Sequence, residues 1–408
     1  MQQTLNIESS ELFFYCFISA ASLYFAAPSK KLKIIAMKYY MIAGEASGDL
    51  HGSNLIKELK QLDAAADIQC WGGDMMERAG AKLVKHYREL AFMGFAEVIK
   101  NLPTIFKNLS FCKKDILHFK PDVLVLIDYP GFNLRIAKWA KQQGFKVVYY
   151  ISPQVWAWKE NRVKQMKQCI DQMLVILPFE KDYYQNKWNW SVQYVGHPLV
   201  QEMEQRKTEL LSQHPDAATK QNKIALLPGS RKQEINIKLP IMLSVAAAFP
   251  EYEFVVAKAP GQEDSFYEPF LKQYHNVSAV RNETYLLLLQ SKAALVTSGT
   301  ATLETALLQV PEVVCYKGSN VSYQIAKRLI KIKYIALVNL IMDKLVVKEL
   351  IQNELTTQNL IAELDLLLNN QEKKIQLQND YTALKNILSV GGNASQNAAQ
   401  TVYQTATS

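Results

Sequence analysis

The sequence lacks the clustered residues that mark several common kinds of site. Its five cysteines are scattered and form no C-x-x-C pair, which argues against a zinc site or a disulfide framework and for a reducing compartment. The six histidines follow no metal-ligand spacing. No G-x-G-x-x-G opens the first predicted helix, so a dinucleotide-dependent dehydrogenase is disfavoured. No D-x-D pair stands at a strand edge as a Mg²⁺ clamp, and no short-period repeat indicates a solenoid.

The composition is that of an ordinary globular protein. With 408 residues the chain exceeds the size at which a single core stops growing, so two domains are expected. The hydrophobic share of 49% and the charged share of 21% exclude a disordered chain and a multi-span membrane protein. A net charge of +8 suits an anionic substrate or a membrane surface as well as a nucleic acid, so charge alone does not select a partner.

The N-terminal segment is apolar but fits no standard targeting signal. Leu12–Ala27 is almost uncharged, yet it is short for a transmembrane helix. Glu8 and Glu11 precede it, where a signal peptide would be basic. Because the fold is predicted to begin at Met37, we interpret residues 1–36 as an artefact of the assigned translation start or a loose extension, with a membrane anchor as the alternative.

Apolar runs that alternate with helical segments predict parallel sheets in two α/β halves. The first half is residues 37–200 and the second is residues 223–370, with residues 201–222 as a polar linker. Leu345–Leu368 is predicted to be helical. Residues 371–408 are predicted to be a helical tail, and whether this tail packs back on the first half stays open.

The second half carries two turns suited to a phosphate group. The stretch SGTATLE (Ser298 to Glu304) follows an apolar strand and opens a helix, where free amides and the helix dipole favour an anion. Glu304 lies one turn further on, within reach of the ribose diol of a nucleotide. An ordinary helix N-cap is the alternative reading. The PGSR turn ending at Arg231 adds amides and a bidentate phosphate partner. The residues expected to bind the nucleotide are Gly229, Ser230, Arg231, Ser298, Gly299, Thr300, Ala301, Thr302 and Glu304.

The first half carries a carboxylate where open α/β sheets place their chemistry. The run from Pro121 to Ile127 reads as a central parallel strand that delivers Asp128 to its carboxyl end. Asp128 is therefore a candidate catalytic base, although a carboxylate there could also cap a helix or form an ion pair. The stretch SPQVWAW (Ser152 to Trp158) predicts an aromatic cleft wall, with core packing as the alternative.

Two stretches combine apolar and basic residues. They run from Met93 to Lys114 and from Tyr323 to Lys333. Each could bury its apolar side in the core or lay it on an anionic bilayer.

The motifs together resemble those of the lipid-A-disaccharide synthases, in order from about residue 38 to about residue 370. GEASGD and SPQVWAW are the most specific of them, whereas related UDP-sugar enzymes carry turns like LPGSR and SGTATLE. The set comprises GEASGD (44 to 49), WGGDMMERAG (71 to 80), MGFAEV (93 to 98), DYPGFN (128 to 133), SPQVWAW (152 to 158), GHPL (196 to 199), LPGSR (227 to 231) and SGTATLE (298 to 304).

The resemblance implies a GT-B fold, in which two Rossmann-like doubly wound domains face each other across a cleft. It implies an inverting, metal-independent glycosyltransferase of lipid A biosynthesis that needs no cofactor. The enzyme would condense UDP-2,3-diacylglucosamine with 2,3-diacylglucosamine 1-phosphate (lipid X) to give the β-1,6-linked disaccharide 1-phosphate and UDP. It would work in the cytoplasm of a Gram-negative bacterium, peripherally on the inner membrane, with an anionic membrane surface and no nucleic acid as partner. A homodimer stays open.

The resemblance also bears on the site residues. Asp128 would take the proton of the acceptor 6-hydroxyl, whereas Gly131 stands where the family often has an acid. Family position makes Glu45, Ser47, Asp49 and His51 further active-site candidates, and a competing base from that group stays open. Membrane-bound substrates favour membrane contact by the two basic stretches. The rival functions are another GT-B enzyme of UDP-sugars, such as a UDP-GlcNAc 2-epimerase, and a non-catalytic nucleotide-binding module at the membrane.

Overall fold

The computed structural model describes residues 36–90, 102–319, 323–324, 328 and 332–408. The chain divides after Ala36, and Met37–Ser408 is one compact unit. The predictions for residues 1–36 and for most of the Tyr323 to Lys333 stretch fall outside the described residues, as does the first part of the Met93 to Lys114 stretch.

The first sheet has seven parallel strands in the order β3-β2-β1-β4-β5-β6-β7. Every residue of its central strand β4 is buried, because helices cover both faces of the sheet. Side chains of β1 alternate between two cores, with Tyr40 on one face and Tyr39 on the other. The strands are β1 Lys38–Ala43, β2 Asp67–Gly72, β3 Lys82–His86, β4 Val123–Ile127, β5 Val147–Tyr150, β6 Gln172–Val175 and β7 Gln193–Tyr194.

Helices connect these strands and lead out of the sheet. Pro130 and Pro198 stand in the first turn of their helices, where the missing amide hydrogen costs no hydrogen bond. The helices are α1 Ala46–Leu62, α2 Asp74–Arg78, α3 Leu102–Phe119, α4 Pro130–Gln142, α5 Arg162–Cys169, α6 Pro178–Asp182 and α7 Pro198–Gln213. Short 3₁₀ turns occupy Tyr87–Glu89 and Pro215–Ala218, and a π-helical turn occupies Tyr183–Lys187.

The second sheet has six parallel strands in the order β10-β9-β8-β11-β12-β13. Its strands are β8 Lys223–Leu227, β9 Glu253–Lys258, β10 Val277–Arg281, β11 Ala293–Thr297, β12 Glu312–Tyr316 and β13 Lys348–Ile351. Its helices are α8 Lys232–Leu243, α9 Asp264–Leu271, α10 Thr284–Gln290, α11 Thr300–Leu307, α12 Leu337–Met342 and α13 Thr357–Asn369, with 3₁₀ turns at Ala246–Ala248 and Gln352–Glu354. Two doubly wound parallel sheets confirm the predicted α/β class.

One stretch differs from the sequence prediction, and another has secondary structure that the prediction did not specify. Helix throughout Leu345 to Leu368 is wrong, because Lys348–Ile351 is a strand that pairs with β12. Pairing with a neighbouring strand outweighed the local helical preference. The stretch predicted as a polar linker is largely helical, since α7 continues to Gln213. Few of its residues are buried, which explains why the sequence shows little periodicity there.

The C-terminal tail forms two helices, α14 (Gln371–Ser389) and α15 (Ala394–Thr407). Helix α14 belongs to the core of the second sheet, whereas α15 buries Val402 in a core of the first. Asn397 Nδ2 donates to the carbonyl oxygen of Val195 at 3.0 Å. The connection between α14 and α15 crosses the connection between β7 and α7. At the crossing a β-carbon on Gly391 would lie 2.4 Å from Cα of Gly196, so this position requires glycine. The tail therefore returns to the first sheet.

Candidate active site

The carboxyl ends of the first sheet's strands surround a cavity of about 340 Å³. All seven strands are parallel, so their following turns meet at one edge. Ser47, Asp128 and Ser152 reach it from the turns after β1, β4 and β5. Its lining also includes His51, Pro153, Trp158, Glu180 and His197.

A strained turn positions Asp128 in this cavity. Asp128 and Tyr129 have φ values of 44° and 49°, in the left-handed region that non-glycine residues seldom adopt. Hydrogen bonds to the carbonyl oxygen of Asp128 hold the turn: the Tyr149 hydroxyl donates at 2.6 Å and Asn133 Nδ2 at 2.8 Å. The backbone amide of Asp128 donates to the carbonyl oxygen of Tyr150 at 2.9 Å. The backbone is thus fully bonded, while the carboxylate lines the cavity.

The electrostatic setting of Asp128 suits a base. Burial raises its pKa to about 6, and the negative charge of Glu45 adds to this shift. The backbone amide of Tyr129 opposes it in part. A carboxylate with this pKa is ionised at neutral pH and still accepts a proton readily, as general-base catalysis requires.

Glu180 is a second carboxyl group in the same cavity, and sequence reasoning missed it. Its side chain is buried, Oε1 accepts from Trp156 Nε1 at 3.1 Å, and Oε2 accepts from the backbone amide of Leu177 at 3.1 Å. Burial raises its pKa to about 8. Glu180 is therefore largely protonated at neutral pH and can donate a hydrogen bond. Its one signal in the sequence is an acid directly after the apolar run that ends at Phe179.

Two neutral imidazoles complete the cavity wall. Burial lowers the pKa of His51 to about 4 and that of His197 to about 3. His197 Nδ1 accepts from the backbone amide of Leu199 at 3.3 Å, which fixes the ring. His51 Nδ1 has no hydrogen-bond partner among the described residues, so it can accept or donate a bond to a ligand.

The other two candidates from the first turn lie elsewhere. The carboxylate of Asp49 is buried and accepts from the backbone amides of Gly73, Met75 and Met76 at 2.7, 3.1 and 3.0 Å. It thereby caps α2 and is not part of the cavity lining. Glu45 is exposed in front of α1 and acts on Asp128 through its charge.

The carboxyl ends of the second sheet's strands surround another cavity, of about 500 Å³. It brings together nearly all the residues predicted to bind a nucleotide: Gly229, Ser230, Arg231, Ser298, Gly299, Thr300, Ala301 and Glu304. Thr302 is the exception. Its side chain is buried, and its hydroxyl donates to the carbonyl oxygen of Gly299 at 2.9 Å.

The backbone of this second cavity depends on glycine. Gly299 has φ 146° and ψ −163°, a conformation that is essentially restricted to glycine. No atom lies within 4 Å of the position that its β-carbon would occupy, so the start of α11 opens directly into the cavity. Arg231 is exposed at the rim, where its Nη1 lies 3.6 Å from Glu234 Oε1.

Glu304 lies one turn into α11 and, unlike Arg231, is a partly buried ionisable group. Burial and the charge of Glu202 raise its pKa to about 7. The Tyr285 hydroxyl donates to Glu304 Oε1 at 3.3 Å. A carboxyl group of this kind can accept or donate hydrogen bonds to a diol.

Thr300 links the two cavities, because it lines both of them. A ligand group held at the start of α11 is therefore adjacent to the space that contains Asp128. Asn339, by contrast, is buried with both atoms of its amide hydrogen-bonded: Nδ2 donates to Val347 and Glu349, and Oδ1 accepts from Val346 and Val347. These bonds tie α12 to residues 346–349.

The described part of the chain lacks two kinds of feature. No group of three or more His, Cys, Asp or Glu side chains within it could hold a metal ion. None of its helices has the length and apolar character needed to cross a bilayer.

Comparison with known proteins supports the resemblance inferred from the motifs. The family model for lipid-A-disaccharide synthetase matches residues 39–404. The lipid-A-disaccharide synthase of Trichlorobacter lovleyi is 36% identical over 358 residues, which cover 86% of this chain and 93% of that protein. The enzyme of the same name from Coxiella burnetii (strain RSA 331) is 37% identical over 372 residues, covering 89% of this chain and 97% of that one.

Solved structures share the fold. The UDP-GlcNAc 2-epimerase of Neisseria meningitidis, determined with UDP-GlcNAc bound, has a TM-score of 0.59 to this chain at 16% identity, with 90% of this chain and 99% of that chain covered. The predicted GT-B fold is thereby confirmed, and at this identity the likeness extends to the fold alone. The motif order, the family model and the full-length relatives agree, so the chain is an enzyme that belongs to the lipid-A-disaccharide synthase family.

Proposed function

We propose that this enzyme transfers a 2,3-diacylglucosamine unit from its UDP derivative to the 6-hydroxyl of 2,3-diacylglucosamine 1-phosphate. The products are the β-1,6-linked disaccharide 1-phosphate and UDP. One observation carries the proposal: Thr300 joins the cavity of Asp128 to the glycine-edged cavity of the second sheet. A base and an anion site that meet at one residue are what an in-line transfer from a nucleotide sugar needs.

The second cavity is the proposed donor site. The amides at the start of α11 and the guanidinium of Arg231 bind the diphosphate, because a helix N-terminus and a planar cation both favour phosphate oxygens. Glu304 bonds to the ribose diol in place of its present bond from Tyr285. The glucosamine then extends past Thr300 into the first cavity.

The first cavity is the proposed acceptor and reaction site. Asp128 takes the proton of the acceptor hydroxyl as the oxygen attacks the anomeric carbon of the donor. The new carbon–oxygen bond forms on the face opposite the leaving group, and the old bond to the diphosphate breaks with its electron pair on UDP. This displacement inverts the anomeric centre. The other candidates suit the role of base less well: Asp49 is held by backbone amides, and Glu45 is outside the lining. His51 lines the cavity, but its pKa of about 4 makes it a weaker base than Asp128.

The leaving diphosphate is stabilised by Arg231 and the helix dipole, and we propose that no metal takes part. Preorganised donors aimed at a developing charge stabilise it without any rearrangement during the reaction. The start of α11 is preorganised in this sense, because Gly299 fixes the approach to the helix.

We further propose that the enzyme is peripheral on the cytoplasmic face of the inner membrane. Its substrates carry acyl chains, and α3 exposes Phe106 at 63% and Phe111 at 47% of their surfaces beside exposed Lys107 and Lys114. Apolar and basic side chains in this combination bind anionic bilayers. Sedimentation with phosphatidylglycerol vesicles tests this surface: Lys107→Glu with Lys114→Glu weakens binding, and unchanged binding contradicts it.

The test of function is the release of UDP with and without the lipid acceptor, with the products separated by thin-layer chromatography. Release that requires the acceptor and matches the disaccharide formed supports the transferase. An epimerase, which the relatives do not favour, would change the donor without any acceptor. A non-catalytic module would bind UDP and release none from the donor.

A further inference from the structure

Buried side chains hold the loop between β5 and α5, residues 151–161, in place. Trp156 donates its indole N–H to Glu180 at 3.1 Å, and its ring packs edge-on against Phe179 with centroids 5.0 Å apart. The Ser152 hydroxyl lies 2.6 Å from the Tyr184 hydroxyl. These buried contacts hold the start and middle of the loop, so its outer residues keep a defined position over the first cavity.

Trp158 is the outer aromatic residue of this loop and lines the cavity with 46% of its surface exposed. Two cations flank its ring. Lys159 Nζ lies 4.2 Å from the ring centroid and Arg162 Cζ lies 5.9 Å from it. Both distances are within the range of cation–π attraction, which holds the two charges beside this lining residue.

The salt bridges of the described residues leave these two cations without an acidic partner. Glu160 stands between them in sequence but pairs with Lys187 at 2.5 Å and accepts from the Tyr183 hydroxyl at 2.8 Å. No ion pair within the described residues includes Lys159 or Arg162. The loop beside the lining residue Trp158 therefore carries two positive charges that belong to no ion pair of the described residues, whereas the cavity interior carries the carboxyl groups of Asp128 and Glu180.

This separation of charge matches the acceptor of the proposed reaction, on which the inference rests. The acceptor is one pyranose ring with the reacting hydroxyl on carbon 6 and a phosphate on carbon 1, at opposite ends. The hydroxyl must meet Asp128, and the phosphate is repelled by the same carboxylate. A guanidinium and an ammonium beside a flat aromatic ring can bind the phosphate and cover the apolar face of the sugar.

We propose that Trp158, Lys159 and Arg162 form the subsite that binds the sugar 1-phosphate of the acceptor. Arg162 and Lys159 bond to the phosphate oxygens, and Trp158 packs against the pyranose. The subsite orients the acceptor so that its 6-hydroxyl points to Asp128. It thereby selects a phosphorylated acceptor over a neutral one.

The experiment compares two acceptors: 2,3-diacylglucosamine 1-phosphate and the corresponding methyl α-glycoside, which has no charge at carbon 1. Wild type is compared with the double variant Lys159→Gln, Arg162→Gln. Lys164→Gln is the matched control, because Lys164 is exposed on the same helix as Arg162, and no cation–π contact among the described residues joins it to Trp158. Kinetic constants for both acceptors and KM for the donor are measured in neutral detergent.

The double variant is expected to lose about ten- to a hundredfold in kcat/KM with the phosphorylated acceptor, the size of two charge-assisted hydrogen bonds. With the methyl glycoside it should match wild type, and KM for the donor should not change. Where the glycoside is not turned over, its inhibition constant against the phosphorylated acceptor replaces kcat/KM. An equal loss with both acceptors, or no loss with either, overturns the subsite.

A second arm separates the acceptor phosphate from a phospholipid headgroup. If the double variant sediments with phosphatidylglycerol vesicles as wild type does, the cations serve the acceptor. If it loses vesicle binding and keeps the wild-type preference for the phosphorylated acceptor, the cations serve the bilayer and the proposal fails. Failure of the proposed function looks different, since wild type would then form no disaccharide from either acceptor.

Discussion

The two cavities differ in the groups that line them. The cavity of the first sheet contains buried ionisable side chains with shifted pKa values, about 6 for Asp128 and about 8 for Glu180. The cavity of the second sheet also contains a partly buried carboxyl, Glu304, whose pKa is raised to about 7, but its edge is backbone at Gly229 and Gly299, with Arg231 exposed at its rim. Proton transfer needs the first setting and anion binding needs the second. In the proposed function, two sheets of similar topology thus divide the reaction between them.

Replacing the base should give the largest effect. Asp128→Asn removes the proton acceptor but keeps the turn, because asparagine tolerates the left-handed conformation that φ 44° requires. We expect kcat to fall about 10²- to 10⁴-fold. Disaccharide formation under saturating substrates measures it. Turnover near that of wild type would move the base to another residue.

Replacing the donor-site glycine should act on the other cavity. Gly299→Ala forces a side chain into a conformation restricted to glycine, at a cost of about 1–3 kcal/mol, so KM for the donor should rise about tenfold or more. Gly261→Ala is the matched control, since its β-carbon meets no atom within 4 Å and its φ is not left-handed. Equal donor KM values in the two variants would contradict the donor site.

Replacing the buried acid Glu312 tests whether a carboxyl group with a raised pKa that lies outside both cavities matters for activity. It is fully buried on β12, and neither carboxyl oxygen has a hydrogen-bond partner among the described residues. Glu312→Met should raise the free energy of unfolding by about 1–3 kcal/mol with turnover unchanged. Thermal unfolding with Glu354→Met, an exposed site, as control measures this.

The sign of the pH dependence follows from burial. Burial raises the pKa of Glu312 well above its usual value, so the carboxyl stays protonated in the folded protein while it ionises in the unfolded chain. The destabilisation is absent below the unfolded pKa and grows as pH rises towards the folded pKa. The gain from Glu312→Met should therefore be larger at pH 8 than at pH 5, and an equal gain at both would refute it.

The pH profile of activity tests the electrostatics of the first cavity. Asp128 must be deprotonated to act, so kcat/KM should rise with pH through an apparent pKa of about 6. Because the charge of Glu45 raises that pKa, Glu45→Gln should move the rise to lower pH. Glu77→Gln, an exposed acid on α2, is the control. If the apparent pKa of kcat/KM is the same in Glu45→Gln as in wild type, the charge of Glu45 does not act on Asp128.

Removing metal ions should have the smallest effect. If the dipole of α11 and Arg231 stabilise the leaving diphosphate, dialysis against a chelator should change turnover less than about twofold. A loss that added Mg²⁺ restores would show that the second cavity works with a metal.

Much of the fold could be predicted because apolar strands end in polar, glycine-bearing turns. Asp128 and Ser298 could be placed at strand ends for this reason, and parallel strands bring such ends together. The local sequence pattern gives a wrong prediction at β13, where it favours a helix. This segment is a strand because it pairs with β12. Glu180 was missed because its neighbours in space, Trp156 and Asp128, are distant in sequence.

Titration calorimetry of UDP binding to wild type and to Asp128→Asn is the most direct test. It asks whether the first cavity carries the chemistry and the second cavity binds the nucleotide. The two cavities meet at Thr300 but have separate linings elsewhere. We predict that the variant binds UDP at least as tightly as wild type while it forms almost no disaccharide. Loss of UDP binding together with turnover would contradict the assignment of chemistry to one sheet and nucleotide binding to the other.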